Sequence, residues 1–321
     1  MSSPAAVLEA PPRLLGRRRR WLAGDSLFRL LAGLSGLFLL VVAGVFVIAL
    51  AVPAVPALVR FGPGFLAGRE WNPVTARFGA LPFIYGTVVT SALAMVIAFP
   101  VGLGAALYLA EETRWRLARA PLSFAVELLA GIPSVVIGLW ALFVVVPLMR
   151  ERIEPALQHL LGFLPPFRGP ISGVSFVTAG TVLAIMILPI LIALSRDVIR
   201  SVPRDLREGS LALGATRAET VWRVVIPYAR AGLTGAGLLA LGRALGETIA
   251  VTMVIGNRPE ISALFTPGYT LPSVLANEFT EAVGALYQGA LFELGLVLVV
   301  ITVIVNIIAR LLVFRFREQG A

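Results

Sequence analysis

Residues 30–59 and 81–110 are two runs of thirty side chains without a single formal charge. A helix needs about 20 predominantly apolar residues to cross the hydrocarbon core of a bilayer. Within that core the backbone must satisfy its own polar groups, which a helix does segment by segment. Six spans are expected on this basis, over residues 30–52, 81–110, 120–149, 174–195, 231–256 and 289–314. Glu127 interrupts the third, Arg243 and Glu247 lie in the middle of the fifth, and the sixth is uncharged from Leu294 to Ala309. The expected fold is an all-α integral membrane protein built as one domain over residues 30–314, with a basic segment 1–29 before it and a tail 315–321 after it. The basic lead-in resembles a secretory signal, but its apolar stretch far exceeds the ~7–15 residues of such a region, so an uncleaved anchor is expected.

Composition removes most other classes. Charged residues are 14% of the chain, against about 25% in soluble domains. There is no cysteine, so disulfides, thiolate nucleophiles and cysteine-ligated metals are excluded. The single histidine, His159, cannot build a metal centre and is expected to be solvated in an outward loop. All 27 basic residues are arginine, and a P-loop needs a lysine on the β/γ-phosphates. The chain therefore has no nucleotide-hydrolysing motif and no catalytic residues are expected. If ATP drives it, another chain hydrolyses the nucleotide.

Orientation follows from where the arginines fall. With the N-terminus inside, the cytoplasmic pieces hold 19 arginines and the outward loops hold 7. Cytoplasmic loops carry such an excess, so both termini are expected in the cytoplasm. The Arg17–Arg20 run then reads as a topology signal beside anionic membrane lipid, and no nucleic-acid partner is expected. Gly242 and Gly246, followed by Ala250, would form one ridge of the fifth span suited to close helix contact.

The loop between the fourth and fifth spans, residues 201–230, is long for a passive connection. Pro203 can open a helix, and Asp205 in its first turn complements the helix dipole. That helix should run to about Leu213, with Gly214 as the left-handed residue ending it. Thr216 then caps a second helix, Glu219 stands three residues on as a capping-box partner, and Pro227 is expected to terminate it. The result is two short helices about a glycine elbow.

At this loop the chain resembles the permeases of ABC importers, whose signature is E-A-A, three residues, G, nine residues, then I-x-L-P. Here it reads Glu208-Gly209-Ser210, Gly214, then Val224-Val225-Ile226-Pro227, with Gly and Ser in place of two alanines. Segments 81–104, 127–148, 183–199 and 242–257 further resemble the phosphate-specific permeases of the PstC type. The resemblance implies the six-span type I importer fold and makes Glu208, Gly209, Ser210, Gly214, Thr216 and Pro227 an ATPase-coupling element. It also implies a second permease subunit of the PstA type as heterodimer partner and two copies of a cytoplasmic ATPase that would hold ATP and Mg. A periplasmic or extracellular phosphate-binding protein would deliver the substrate, phosphate, across the inner (plasma) membrane.

Arg243 and Glu247 are i and i+4, which places them on one face of a helix. A charge at mid-bilayer costs about 2.5–3.5 kcal/mol even on the lenient insertion scale, so both must face protein or water. Arginine offers a planar fork of donors that matches phosphate oxygens. The pair would either meet the translocated anion or form an ion pair that fixes packing between spans. Glu127, near the end of its span, is expected at the interface. Thr87, Thr90, Ser91 and Ser134 are expected to bond backbone carbonyls rather than line a pore, and Arg196–Asp197 to form an interfacial ion pair. The stretches 61–73 and 272–284 are candidates for an outward platform. Competing readings are a permease for another oxyanion such as molybdate or sulfate, an ATP-independent secondary transporter, and a membrane-anchored assembly factor.

Overall fold

The computed structural model describes residues 15–111 and 116–318, and helices make up most of that length. Expectations for the first fourteen and last three residues lie outside the described residues. Two compact units are present, residues 1–52 and 53–321. The described part of the first is helix α1 (Leu15–Phe61) up to Val52; the helix continues into the second unit, and its segment Ser26–Phe61 is apolar enough to span a membrane. The second contains α2 (Leu81–Ala110), α3 (Arg116–Gly131), α4 (Ser134–Leu161), α5 (Phe176–Arg200), α6 (Arg204–Ala212), α7 (Arg217–Leu245), α8 (Ile249–Ile255), α9 (Leu271–Glu278) and α10 (Ala285–Glu318). Among the described residues six helical segments are long and apolar enough to cross a bilayer, on α1, α2, α4, α5, α7 and α10.

The core of the second unit is the α2–α5 pair, held close by small residues. A Cβ on Gly180 would lie 2.7 Å from Leu93 Cβ, and one on Gly102 would lie 2.7 Å from Leu191 Cδ2. Small residues at such contacts let helix backbones approach where no hydrophobic driving force separates protein from lipid. α4, α7 and α8 close around the pair to bury Met149, Phe176, Ile187 and Ile255. Thr87 and Thr90 are buried in α2 and donate to the carbonyls of Phe83 and Gly86 (both 2.8 Å), as expected of hydroxyls in a span. Ser91 differs: its hydroxyl is buried without a partner.

The third span is displaced from its expected place. Pro133, in an extended conformation (φ −58°, ψ 140°), breaks the apolar stretch between α3 and α4, because its ring cannot share a turn with the carbonyl four residues earlier and it offers no N–H. Glu127 therefore belongs to α3, a short helix outside the span, where it is exposed while Val126 packs with Leu109 and Ile192. The span itself runs to Leu161, so His159 sits exposed on a helix rather than in a loop.

Three prolines inside the spans follow widened turns, whereas Pro53, Pro56, Pro100 and Pro189 sit inside helices without one. π-helical turns at Ala141–Val145, Met149–Ile153 and Val221–Val225 stand immediately before Pro147, Pro155 and Pro227. A π turn shifts hydrogen bonding from i−4 to i−5 and so relieves the position where proline has no N–H to give. Pro227 consequently does not terminate a helix, contrary to the sequence expectation: α7 passes through it from Arg217 to Leu245.

At one end of the bundle the two candidate platform stretches pack together. Phe65, Trp71, Phe78, Phe83 and Tyr269 form an aromatic cluster with buried Leu271 and Val274 of α9. The Trp71 ring lies 4.8 Å from Phe78 and 4.9 Å from Phe83, both edge-on. Trp71 Nε1 and the Tyr287 hydroxyl both donate to Glu278 Oε2 at 2.7 Å. Burial pushes the Tyr269 phenol well above its ordinary range, so it remains a hydroxyl that accepts from Asn277 Nδ2 at 3.0 Å. The same cap reaches α2 through Gly86, where a Cβ would lie 2.0 Å from the Tyr269 carbonyl oxygen. Gly86→Ala should therefore cost about 1–3 kcal/mol, the usual range for overpacking, read as a lowered melting temperature in detergent; an unchanged melting temperature would show that this approach is not tight.

Candidate coupling elbow and translocation site

The loop after α5 forms the predicted elbow. Pro203 leads into α6 with an extended backbone (φ −54°, ψ 138°), and Asp205 lies in its first turn. The helix ends at Ala212, and Gly214 takes φ +87°, the left-handed conformation that side chains disfavour. The Ala215 N–H donates to the Ser210 carbonyl at 3.2 Å and closes the turn. Thr216 then caps α7: its N–H donates to Glu219 Oε2 (2.8 Å), and its hydroxyl accepts from the Glu219 N–H (3.3 Å). The Ser210 and Thr220 hydroxyls, 3.0 Å apart, join the two limbs.

The elbow presents an open surface. Glu208, Gly209, Gly214 and Pro227 are exposed, and Leu213 at the tip is 91% exposed. A Cβ on Gly209 or Gly214 would meet nothing within 4 Å of this chain. The small residues at 209 and 210 are thus not demanded by packing within the elbow, apart from the Ser210 hydroxyl contact. They leave room for something outside the chain.

Arg207, which the sequence did not single out, fastens the elbow to the bundle. Its Nη1 donates to Glu111 Oε1 at 2.8 Å and its Nη2 to the Ile199 carbonyl at 2.6 Å. Arg200 Nη2 likewise donates to the Leu109 carbonyl at 3.1 Å. Both arginines cover carbonyls in the last turns of α2 and α5, where helices lack intrahelical donors and carry partial negative charge. Glu111 is 96 residues from Arg207 in sequence, and no local pattern links them. Arg196 and Asp197 form the expected ion pair at 3.2 Å.

The fifth span is interrupted where its charges lie. α7 ends at Leu245, Gly246 adopts φ −95°, ψ 0°, and α8 begins only at Ile249. Arg243 and Glu247 are therefore not two positions on one continuous helix, as the i, i+4 spacing implies. Arg243 is exposed and Glu247 partly so, and among the described residues neither side chain forms an ion pair or hydrogen bond. The expected ridge does not form either. Gly242 meets nothing within 4 Å, Gly246 meets only the Gly242 carbonyl, and Ala250 alone is packed.

Ala250 packs against α4. A Cβ on Gly138 would lie 3.0 Å from Ala250 Cα and 2.7 Å from Met253 Sδ. That contact falls five residues after Pro133 and two after Thr248, so the start of the third span packs on the segment that follows the break in the fifth. Nearby side chains take up carbonyls around the break. The Thr248 hydroxyl donates to the Gly246 carbonyl (3.3 Å), that of Thr252 to the Thr248 carbonyl (2.8 Å), and Asn257 Nδ2 to the Thr252 carbonyl (2.9 Å). Non-helical backbone at membrane depth persists where it is buried in protein or lines a water-filled cavity.

Two buried carboxyls also escaped the sequence reading. Glu154 of α4 is fully buried and accepts from the Ser175 hydroxyl (2.6 Å) and the Gly173 N–H (3.1 Å), at the N-terminus of α5. Glu293 of α10 is 4% exposed, and its Oε2 has no partner. Composition conceals both, because each lies in or beside an apolar stretch.

Six apolar helices with a capped elbow between the fourth and fifth spans define a multi-pass permease subunit of an ABC importer. The chain belongs to the family described as binding-protein-dependent transport system inner membrane component, whose model matches residues 98–318. It is 45% identical over 320 residues to the phosphate transport system permease protein PstC of Mesorhizobium japonicum, covering 97% of this chain and 98% of that one. Identity to the PstC protein of Haemophilus influenzae is 44% over 300 residues, with 92% and 94% covered. Identity to the probable PstC protein of Methanocaldococcus jannaschii is 38% over 273 residues, with 83% and 86% covered. The fold is also that of a chain in the inward-facing MetNI methionine ABC transporter, with a TM-score of 0.53 at 18% identity, covering 77% of this chain and 99% of that one.

If Arg207 fastens the elbow, Arg207→Met should raise hydrogen–deuterium exchange over residues 204–220 by about tenfold, which corresponds to ~1.4 kcal/mol, while α2 and α5 stay protected. Unchanged exchange would show that the elbow is held by its caps alone.

Proposed function

We propose that this chain is the phosphate-translocating subunit of an ATP-driven importer in the inner (plasma) membrane, with both termini and the elbow in the cytoplasm. The observation that carries the reading is Arg243, an exposed guanidinium beside the interruption of the fifth span, without an ion-pair partner among the described residues. A charge at that depth is tolerated only toward protein or water, and a lone arginine there offers an anion a forked donor set. The names of the relatives, all phosphate permeases, support phosphate over molybdate or sulfate. The missing Arg243–Glu247 pair favours contact with the anion over a purely structural bridge. Glu247, close in sequence and partly exposed, keeps the anion from lodging, and weak binding is what conduction requires.

Partners follow from the same reading. The chain pairs with a second permease subunit of the PstA type, and two copies of an ATPase receive the elbows through Glu208, Gly209, Ser210 and the turn at Gly214. A binding protein loads phosphate at the opposite end, where the Trp71–Phe78–Tyr269 cap gives it a firm platform.

In the assembled importer, Arg243→Gln should lower phosphate uptake by at least about tenfold, the equivalent of ~1.4 kcal/mol, with subunit assembly intact. The double variant Arg243→Gln with Glu247→Gln should assemble and still fail to transport. Uptake restored in the double variant would leave Arg243 a structural residue, and uptake of sulfate in place of phosphate by the unmodified importer would change the substrate. Gly214→Val strains a position held at φ +87°, where an L-residue pays roughly 1–2 kcal/mol. Together with Glu208→Lys, it should abolish stimulation of ATP hydrolysis by the loaded binding protein while insertion persists. Full stimulation in both would mean that the elbow does not couple.

A further inference from the structure

Between the elbow and the ends of α2 and α5 lies a cleft of about 750 Å³, lined by Arg200, Arg204, Arg207 and Arg217 with Glu111, Glu208 and Trp222 among the other wall residues. Four arginines face two carboxylates. One of the carboxylates, Glu111, is already engaged by Arg207 at 2.8 Å, which leaves Glu208 to face Arg200 and Arg204, an excess of positive charge even without Arg217. Arg207 itself is incompletely used: its Nε is buried and has no acceptor. Arg200 spends one nitrogen on the Leu109 carbonyl. The side chain of Arg204 has no hydrogen bond or ion pair among the described residues. Arginines of α5, α6 and α7 line one volume, and the mutual repulsion of their charges favours a further anion there.

We propose that this cleft binds a phosphate group, separately from the translocation path at Arg243. Arginine's rigid fork matches phosphate oxygens with two parallel donors, and here three elements supply it from different directions. The cleft also lies where two spans end, at Ala110 and Arg200, and Trp222 beside it is 66% exposed. Tryptophan is enriched at the headgroup level of membranes. Both the headgroup of an acidic phospholipid and free inorganic phosphate carry the chemistry the site recognises. Because the walls are α6, the elbow limb of α7 and the ends of two spans, an occupant would tie the elbow to the bundle alongside Arg207.

The test uses the purified full chain in neutral detergent with two probes, radiolabelled inorganic phosphate in equilibrium dialysis and mixed micelles containing phosphatidylglycerol or, as control, phosphatidylcholine. The comparison variant is Arg204→Gln with Arg217→Gln, both exposed positions, checked for folding by its melting curve. Arg204→Lys with Arg217→Lys retains the charge. Phosphatidylglycerol bound at least tenfold more tightly by the native chain than by the Gln variant, with partial recovery in the Lys variant and no such difference for phosphatidylcholine, identifies a lipid headgroup site. Inorganic phosphate showing that pattern, and still bound by Arg243→Gln, identifies a free-phosphate site. Equal binding of both probes by the native chain and the folded Gln variant overturns the proposal. So does phosphate binding that Arg243→Gln removes and the Gln variant keeps.

Discussion

Within a bilayer a backbone carbonyl without a donor has no water to turn to, and that constraint organises this molecule. Where the helices run unbroken the side chains are mostly apolar or small, with buried Glu154 and Glu293 as exceptions. Where they break, polar side chains appear: Thr248 takes up the Gly246 carbonyl at the interruption of the fifth span, Thr252 the carbonyl of Thr248, and Asn257 a carbonyl in the last turn of α8. Where they end, arginines 200 and 207 cap the carbonyls of α2 and α5. The residues that carry the functional reading are thus found at the places where helix geometry leaves a backbone group to be served.

Prolines illustrate the same economy from the other side. Each of the three π turns falls just before a proline, so the residue that cannot donate sits where the hydrogen-bond register has already been widened. Pro133 has no such turn before it, and there the chain breaks. Pro53, Pro56, Pro100 and Pro189 lie inside helices with no π turn before them, so one residue type breaks the chain in one place and is carried through in others.

This explains what the sequence disclosed and what it withheld. Apolar runs gave the number of spans and the place of most of them, since length and apolarity are local properties. The elbow was equally legible, because caps, a left-handed glycine and a capping box depend on neighbours three or four residues away. The third span was misplaced because Gly131-Ile132-Pro133 reads as apolar as its flanks, and hydropathy does not register a missing N–H. The Arg243–Glu247 pair was read as a helix face since its spacing fits one, whereas Gly246 ends the helix between them. Arg207 and Glu154 were invisible in principle. Their partners, at 96 and 19 to 21 residues' separation, exist only once the spans are packed.

The proposed coupling acquires a mechanical form from the continuity of α7. The helix that Thr216 caps at the elbow is the one that carries Arg243 near its far end. Twenty-nine residues at about 1.5 Å each place these two features roughly 40 Å apart on a single rod. Were Pro227 to terminate the helix, movement of the elbow would dissipate in a loop; because the π turn at Val221–Val225 carries the backbone through, it is passed on. The far end of the rod stops at Leu245, two residues beyond Arg243, and α8 beyond the break packs on α4 through Ala250 and Gly138. In the proposed coupling, a tilt of α7 driven at the elbow would turn about this break, which is also where the guanidinium is exposed.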